Sequence, residues 1–167
     1  DNEPRVFFCH LPKTAGMTLR AILENHFRES EVFGYDRLRD IPASFALSDL
    51  ARYRLIRGHF LRSTITSALP TEPFVMTMLR EPVSRVISAF RHIRRAPTHL
   101  MHAQIGGKDC TLSQYLDRVK PALHNFNTQT FFLSAPAPED RTLKGALLHE
   151  AKVGRDREEY VSLSRAK

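Results

Sequence analysis

The chain has little from which a disulfide framework or a zinc site could be built. It holds two cysteines in 167 residues, Cys9 in an apolar run and Cys110 far from it, and no paired Cys/His spacing. Cys9 reads as a core thiol. No apolar run approaches the roughly 20 residues that a membrane-spanning helix needs, and no stretch has the layout of a secretory signal. A soluble domain is expected, with the cytoplasm favoured, although a start at Asp1 leaves room for a removed signal or anchor. Internal repeats and low-complexity tracts are missing, which excludes solenoids and disordered arrays. Acidic side chains are outnumbered, 18 Asp+Glu against 25 Lys+Arg, for a net charge of +7. That balance favours an anionic partner such as a nucleotide, a phosphate, a sulfated glycan or a nucleic acid, with a merely solvated basic surface as the plainer reading.

What is present is an alternation of short buried runs and helical patterns. Residues 5–10 read as a buried strand. Leu19, Ile22, Leu23, His26 and Phe27 recur at helical spacing and mark one apolar face. Val32, Phe33 and Tyr35 suggest a short strand, residues 44–53 a helix capped by Ser44 or Ser48, and residues 54–60 a strand ending in Arg57-Gly58-His59-Phe60. Residues 74–79 form the second strong strand. Pro82 opens a helix with Val83, Val86, Ile87 and Phe90 as its apolar face and Arg85, Arg91, Arg94 and Arg95 on its polar face. A loop with Gly106-Gly107 at its tip is expected over 98–110, then helices over 111–119, 124–133 and 139–152. The alternation predicts an α/β fold with a central parallel sheet. One domain spans residues 1–167, with its end, about 150–167, weakly structured.

Two strand ends carry chemistry. After the first strand comes Pro12-Lys13-Thr14-Ala15-Gly16-Met17-Thr18. The pattern Gly-x-x-x-x-Gly-Lys-[Ser/Thr] is absent, because here the lysine precedes the glycine. The physics of an anion cradle is still in place. Ala15 and Gly16 let backbone approach an anion. The helix N-terminus contributes about half a positive charge, Lys13 a full one, and Thr14 and Thr18 offer hydroxyls. An ordinary strand-to-helix turn is the plainer reading, but Lys, Thr and small residues coincide at this one strand end. Arg80 ends the second strong strand, where ligands of open α/β sheets bind, and Ser88 lies on the helix that follows. The two can converge on one phosphate. Singly, Arg80 is as well explained by an ion pair and Ser88 by solvent.

In combination these segments are distinctive. His10-Leu11-Pro12-Lys13-Thr14-Ala15-Gly16-Met17-Thr18-Leu19 resembles the phosphosulfate-binding loop of sulfotransferases. Leu79-Arg80-Glu81-Pro82-Val83-Ser84-Arg85-Val86-Ile87-Ser88-Ala89-Phe90 resembles that family's 3′-phosphate segment. Asn127-Thr128-Gln129-Thr130 with Leu133 is similar to the Asn-x-Gln-Thr segment of the branch that contains the glycan-modifying 2-O-sulfotransferases. The resemblance covers roughly residues 5–134. It implies a three-layer sandwich of the P-loop NTPase-like sulfotransferase type. It implies transfer of a sulfuryl group from 3′-phosphoadenosine 5′-phosphosulfate (PAPS) to an acceptor hydroxyl or amine, a glycan among the candidates, with adenosine 3′,5′-bisphosphate as product and no metal. By position, the backbone of Thr14, Ala15, Gly16, Met17 and Thr18 would hold the 5′-phosphosulfate, Lys13 would neutralise the leaving oxygen, and Arg80 and Ser88 would hold the 3′-phosphate. His59 stands where the glycan-modifying branch has its catalytic base, with Glu24 and Glu81 as further candidates and His10 as a support of the loop. Asn127, Gln129 and Thr130 fall on the substrate side.

Three positions depart from the family pattern. Ala15 stands where glycine is common, Met17 where Thr or Ser is common, and Phe131 where Arg is frequent. The last favours a neutral or apolar acceptor over an acidic glycan. The C-terminal part reads as truncated or diverged relative to the usual catalytic domain. A nucleotide- or glycan-binding module without turnover is the non-enzymatic alternative. A phosphoryl-transfer kinase would want an acidic residue at a strand end to hold Mg²⁺, and the strong strands end without one. A nucleic-acid binder would be expected to show a recognisable motif, and none is present.

Overall fold

A computed structural model describes residues 4–34, 36, 42, 44–99, 101–105, 109–119 and 127–147. Strand β1 (Val6–Cys9) is the apolar run read from the sequence, and it is followed by helix α1 (Gly16–Glu24). Strand β2 (Val32–Gly34), a 3-10 turn over Leu47–Arg52, strand β3 (Leu55–Gly58) and helix α2 (Arg62–Ala68) come next. Strand β4 (Phe74–Thr77) leads into the long helix α3 (Pro82–Arg95), and α4 (Met101–Gln104), α5 (Leu112–Val119) and α6 (Thr128–Ser134) complete the order.

Among the described residues the four strands form one all-parallel sheet in the order β2–β3–β1–β4. The fold is therefore α/β, a parallel sheet flanked by helices. Period-2 alternation sends successive β1 side chains to opposite faces. Phe7 and Cys9 join Phe33, Ile56, Leu47, Leu50 and Ile65 in the largest core, on the face covered by the 3-10 turn and α2. Phe8 joins Val32 and Leu55 on the other face, closed by Leu19, Leu23 and Phe27. β1 is central, so both its neighbours end beside the loop that follows it: β3 on one side and β4 on the other. This places Gly58-His59 and Thr77–Arg80 on opposite flanks of the cradle.

Several local expectations change. The α1 pattern ends at Glu24, where the chain turns with Asn25 N–H on the Ala21 carbonyl and His26 N–H on that of Leu23. Ile22, expected in the core, is 52% exposed. Of residues 44–53, expected to be helical, only Leu47–Arg52 is, and as a 3-10 rather than an α-helix. Its start is held by the Asp49 carboxylate accepting from Ala46 N–H at 3.0 Å, a role expected of Ser44 or Ser48. Helix α2 was not expected, since Ser, Thr and Ile dominate it and helix propensity there is weak. Helix α4 lies inside the expected 98–110 loop. On α3, Val83 is 63% exposed, while Arg85 is buried beside Tyr115. Tyr35, Gly106, Gly107, residues 124–126 and residues 148–167, over which further expectations run, lie outside the described residues. The expected Thr111 cap is present. Thr111 Oγ1 accepts from Gln114 N–H, and the Gln114 side chain accepts from Thr111 N–H at 2.9 Å.

Candidate functional site

The cradle is built by a tight, strained turn. Lys13 (φ 69°) and Ala15 (φ 66°) both occupy the left-handed region although neither is glycine. Each such residue costs on the order of 1–2 kcal/mol, a cost that concentrates at functional sites. Thr14 is buried, and its Oγ1 donates to the Leu11 carbonyl at 2.9 Å. Its hydroxyl proton therefore braces the turn and is not aimed at a ligand. Ala15 caps α1 without a side-chain acceptor, so the N–H groups of Gly16 and Met17 have no acceptor within the helix, while Thr18 N–H donates to the Ala15 carbonyl at 3.4 Å. Met17 and Thr18 are exposed on that first turn.

Gly16 is required by packing. A Cβ at this position would run into the His10 imidazole. That ring is stacked on Phe8 (centroids 5.2 Å) and lies 4.7 Å from the ring of His59. Burial, reinforced by His59 and by the charges of Arg20 and Arg57, pushes His10 down from 6.5 to about 4. His10 is thus a neutral wedge beneath the cradle.

His59 sits on the β3 flank. Its Nδ1 pairs with the His10 carbonyl at 2.5 Å. A carbonyl can only accept, so Nδ1 carries the proton and the lone pair resides on Nε2. Burial lowers the His59 pKa, and the bond to the His10 carbonyl offsets part of that. Neutral at neutral pH, with its basic nitrogen fixed by tautomer, His59 has the form a general base requires.

The β4 flank is tied to β1 and the cradle at two points and to α6 at a third. Thr77 Oγ1 donates to the Cys9 carbonyl at 2.8 Å. Arg80 Nη1 donates to the Lys13 carbonyl at 3.4 Å. The Gln129 carboxamide accepts from Arg80 N–H and donates to the Arg80 carbonyl, both at 2.8 Å. Lys13, Arg80, Ser84 and Ser88 line one cavity of about 450 Å³. Arg91, His92 and Arg95 extend it along α3, and among the described residues no carboxylate lines it. Burial and the Arg80 charge lower the Lys13 pKa. Burial lowers that of His92, followed by the charges of Lys13 and His99. The sequence named Arg91 and Arg95 only as a polar face. Their alignment with Ser84 and Ser88 at i, i+4, i+7 and i+11 was the signal that they share a wall.

The two carboxylate candidates have other partners. Glu81 caps α3, accepting from Val83 N–H (2.8 Å) and Ser84 N–H (2.7 Å), and these bonds, that from Ser84 foremost, hold its pKa low. Glu24 pairs with Arg20 (3.0 Å) and with the buried Arg57, which also holds Asp36 at 2.6 Å. The Glu81 carboxylate, so committed to N–H donors, is a weak base, and that of Glu24 is engaged by two guanidinium groups. Asn127 and Thr130 are exposed at the start of α6, and Gln129 is half-buried. Phe131, the position of the missing Arg, is buried against Leu61. It faces the core.

Among the described residues no group of three or more His, Cys, Asp or Glu side chains could hold a metal ion. None of the described helices is long and apolar enough to cross a membrane. The model of the sulfotransferase family matches residues 1–132. No curated protein and no solved structure matches the chain.

Proposed function

The chain belongs to the sulfotransferase family, and from that premise we propose that it transfers a sulfuryl group from PAPS to an acceptor hydroxyl. The observation that carries the reading is the convergence of Lys13 and Arg80, from two different strand ends, on one cavity with Ser84 and Ser88 that no carboxylate lines among the described residues. A donor with a phosphosulfate at one end and a 3′-phosphate at the other supplies anions for both ends of such a cavity.

PAPS supplies the activated sulfur; the chain's residues position it and manage charge and proton. The N–H groups of Gly16 and Met17 at the start of α1 and the backbone of Thr14 and Ala15 would face the 5′-phosphosulfate, with Thr18, whose N–H is shared with the Ala15 carbonyl, beside them. Arg80 and Ser88 hold the 3′-phosphate through charge-assisted bonds worth roughly 1.5–3 kcal/mol. His59 Nε2 takes the proton of the acceptor hydroxyl as its oxygen bonds to sulfur. The bond from sulfur to the bridging phosphate oxygen breaks, and Lys13 neutralises the charge left on that oxygen. Adenosine 3′,5′-bisphosphate departs. A glycan hydroxyl is one acceptor compatible with the Asn-x-Gln-Thr segment, and Asn127 and Thr130 are exposed where they can meet it.

The test is twofold. Calorimetry should show adenosine 3′,5′-bisphosphate binding about 10- to 100-fold more tightly than AMP, the worth of one charge-assisted phosphate contact. Arg80→Ala and Ser88→Ala should erase most of that preference. Incubation with PAPS and a panel of hydroxyl acceptors should release the bisphosphate only when acceptor is present. Equal binding of the two nucleotides sinks the 3′-phosphate assignment. Tight binding without release on any acceptor favours the binding module over the enzyme.

A further inference from the structure

Resting on the nucleotide site proposed above, we infer that Gln129 is a positioning residue of the donor-phosphate site, acting through Arg80, rather than an acceptor contact. Its carboxamide bonds both backbone groups of Arg80, accepting from the N–H and donating to the carbonyl, each at 2.8 Å. A side chain that satisfies both groups of one residue does what a neighbouring strand does in a ladder. It extends the pairing of the sheet just past β4, where Thr77 ends the strand. Arg80 is exposed, and without this grip its backbone would be free to turn.

The grip is relayed. Arg80 Nη1 reaches the carbonyl of Lys13 at 3.4 Å, and Lys13 is one of two non-glycine residues held at positive φ among the described residues. The Gln129–Arg80–Lys13 chain thus links α6, the β4 end and the strained cradle. α6 is itself anchored on the opposite flank, where Phe131 packs on Leu61, two residues beyond His59. One short helix therefore bridges both sides of the cradle. One N–H and one oxygen lone pair of the Gln129 carboxamide are engaged by Arg80, which fixes the orientation of the carboxamide toward the β4 end.

The experiment compares Gln129→Leu, which keeps the volume and removes both bonds, and Gln129→Asn, which keeps the chemistry one methylene short, with Ser134→Ala on the same helix. Three quantities are read: amide exchange at Arg80, affinity for adenosine 3′,5′-bisphosphate and AMP, and acceptor KM. Gln129→Leu should speed Arg80 amide exchange and weaken bisphosphate binding about tenfold, the loss of two net hydrogen bonds. AMP binding should fall less, and acceptor KM should hold. Gln129→Asn should recover part of the affinity, and Ser134→Ala should match wild type throughout. A raised acceptor KM with unchanged nucleotide affinity overturns the inference, as does unchanged Arg80 exchange in Gln129→Leu. If the wild-type protein does not prefer the bisphosphate, the nucleotide reading fails. The exchange arm then still decides whether Gln129 positions Arg80.

Discussion

His59 donates its Nδ1–H to the main-chain carbonyl of His10 at 2.5 Å, across the junction of β3 and β1. The bond fixes which nitrogen is basic, while burial keeps the ring from protonating at its ordinary pH. A base works deprotonated, so protonation of His59 should cost rate on acidification, with the acidic limb below the usual 6.5 of histidine. His59→Ala should lower kcat by about 10²–10⁴, the range for a positioned acid or base, with bisphosphate affinity nearly intact. A pH–rate profile and calorimetry of the variant check both. An acidic limb unchanged in His59→Ala would place the base elsewhere.

Lys13 lies between the cradle and the Arg80 flank, its own carbonyl accepting from Arg80. Its ammonium is partly desolvated and crowded by Arg80, which lowers its pKa without removing its charge near neutrality. A cation aimed at charge that develops late in the reaction contributes mainly to the transition state. Lys13→Ala should therefore cut kcat by about 10²–10³ while weakening nucleotide binding much less. Steady-state kinetics beside calorimetry separates the two effects. A loss carried by KM alone would make Lys13 a binding residue only.

Much of this was legible because the informative residues sit at strand ends. β1 and β4 are short apolar runs bounded by Pro12 and Pro82, and the cradle and Arg80 follow them directly. Strand order was not legible. That β1 is central, and hence that His59 and Arg80 flank one loop from opposite sides, depends on pairings between segments some 50–70 residues apart. The Gln129 clamp is equally long-range, and nothing local distinguishes a carboxamide that will meet Arg80 from one that meets solvent. Val83 and Arg85 misled in opposite senses. Periodicity assumes one core per helix, whereas α3 presents its buried side to a satellite core made with α4 and α5.

Acid should weaken the fold in a defined window. His10 titrates near 4 when folded and near 6.5 when unfolded. Between those values the unfolded chain holds a proton that the folded one excludes, so stability falls as pH drops from about 6.5 to about 4. Asp36 adds to the loss below its ordinary 3.8, because its bond to Arg57 keeps it ionised in the fold. Thermal melts across pH 7 to 4 should show a falling midpoint, and His10→Phe should flatten the upper part of the slope. An equally steep slope in that variant would assign the effect to other groups.

Gly16 is the cradle residue least open to substitution, and the reason is a side chain, not a ligand. A methyl group there meets the His10 ring, which has Phe8 stacked on it and His59 beside it. The ring is hemmed in between Phe8 and the His59 ring, so it cannot yield without pressing on one of them. Gly16→Ala should cost about 1–3 kcal/mol, the usual penalty of overpacking, and should slow transfer more than the same loss of stability elsewhere. The pair His10→Ala with Gly16→Ala makes the argument testable. Removing the ring vacates the volume that the methyl needs, so the double variant should melt above the sum of the two single losses. Coupling of about 0.5–3 kcal/mol is expected between residues in direct contact. If the two losses simply add in denaturant melts, the His10 ring is not what makes position 16 a glycine. The intolerance would then belong to the backbone of the cradle itself.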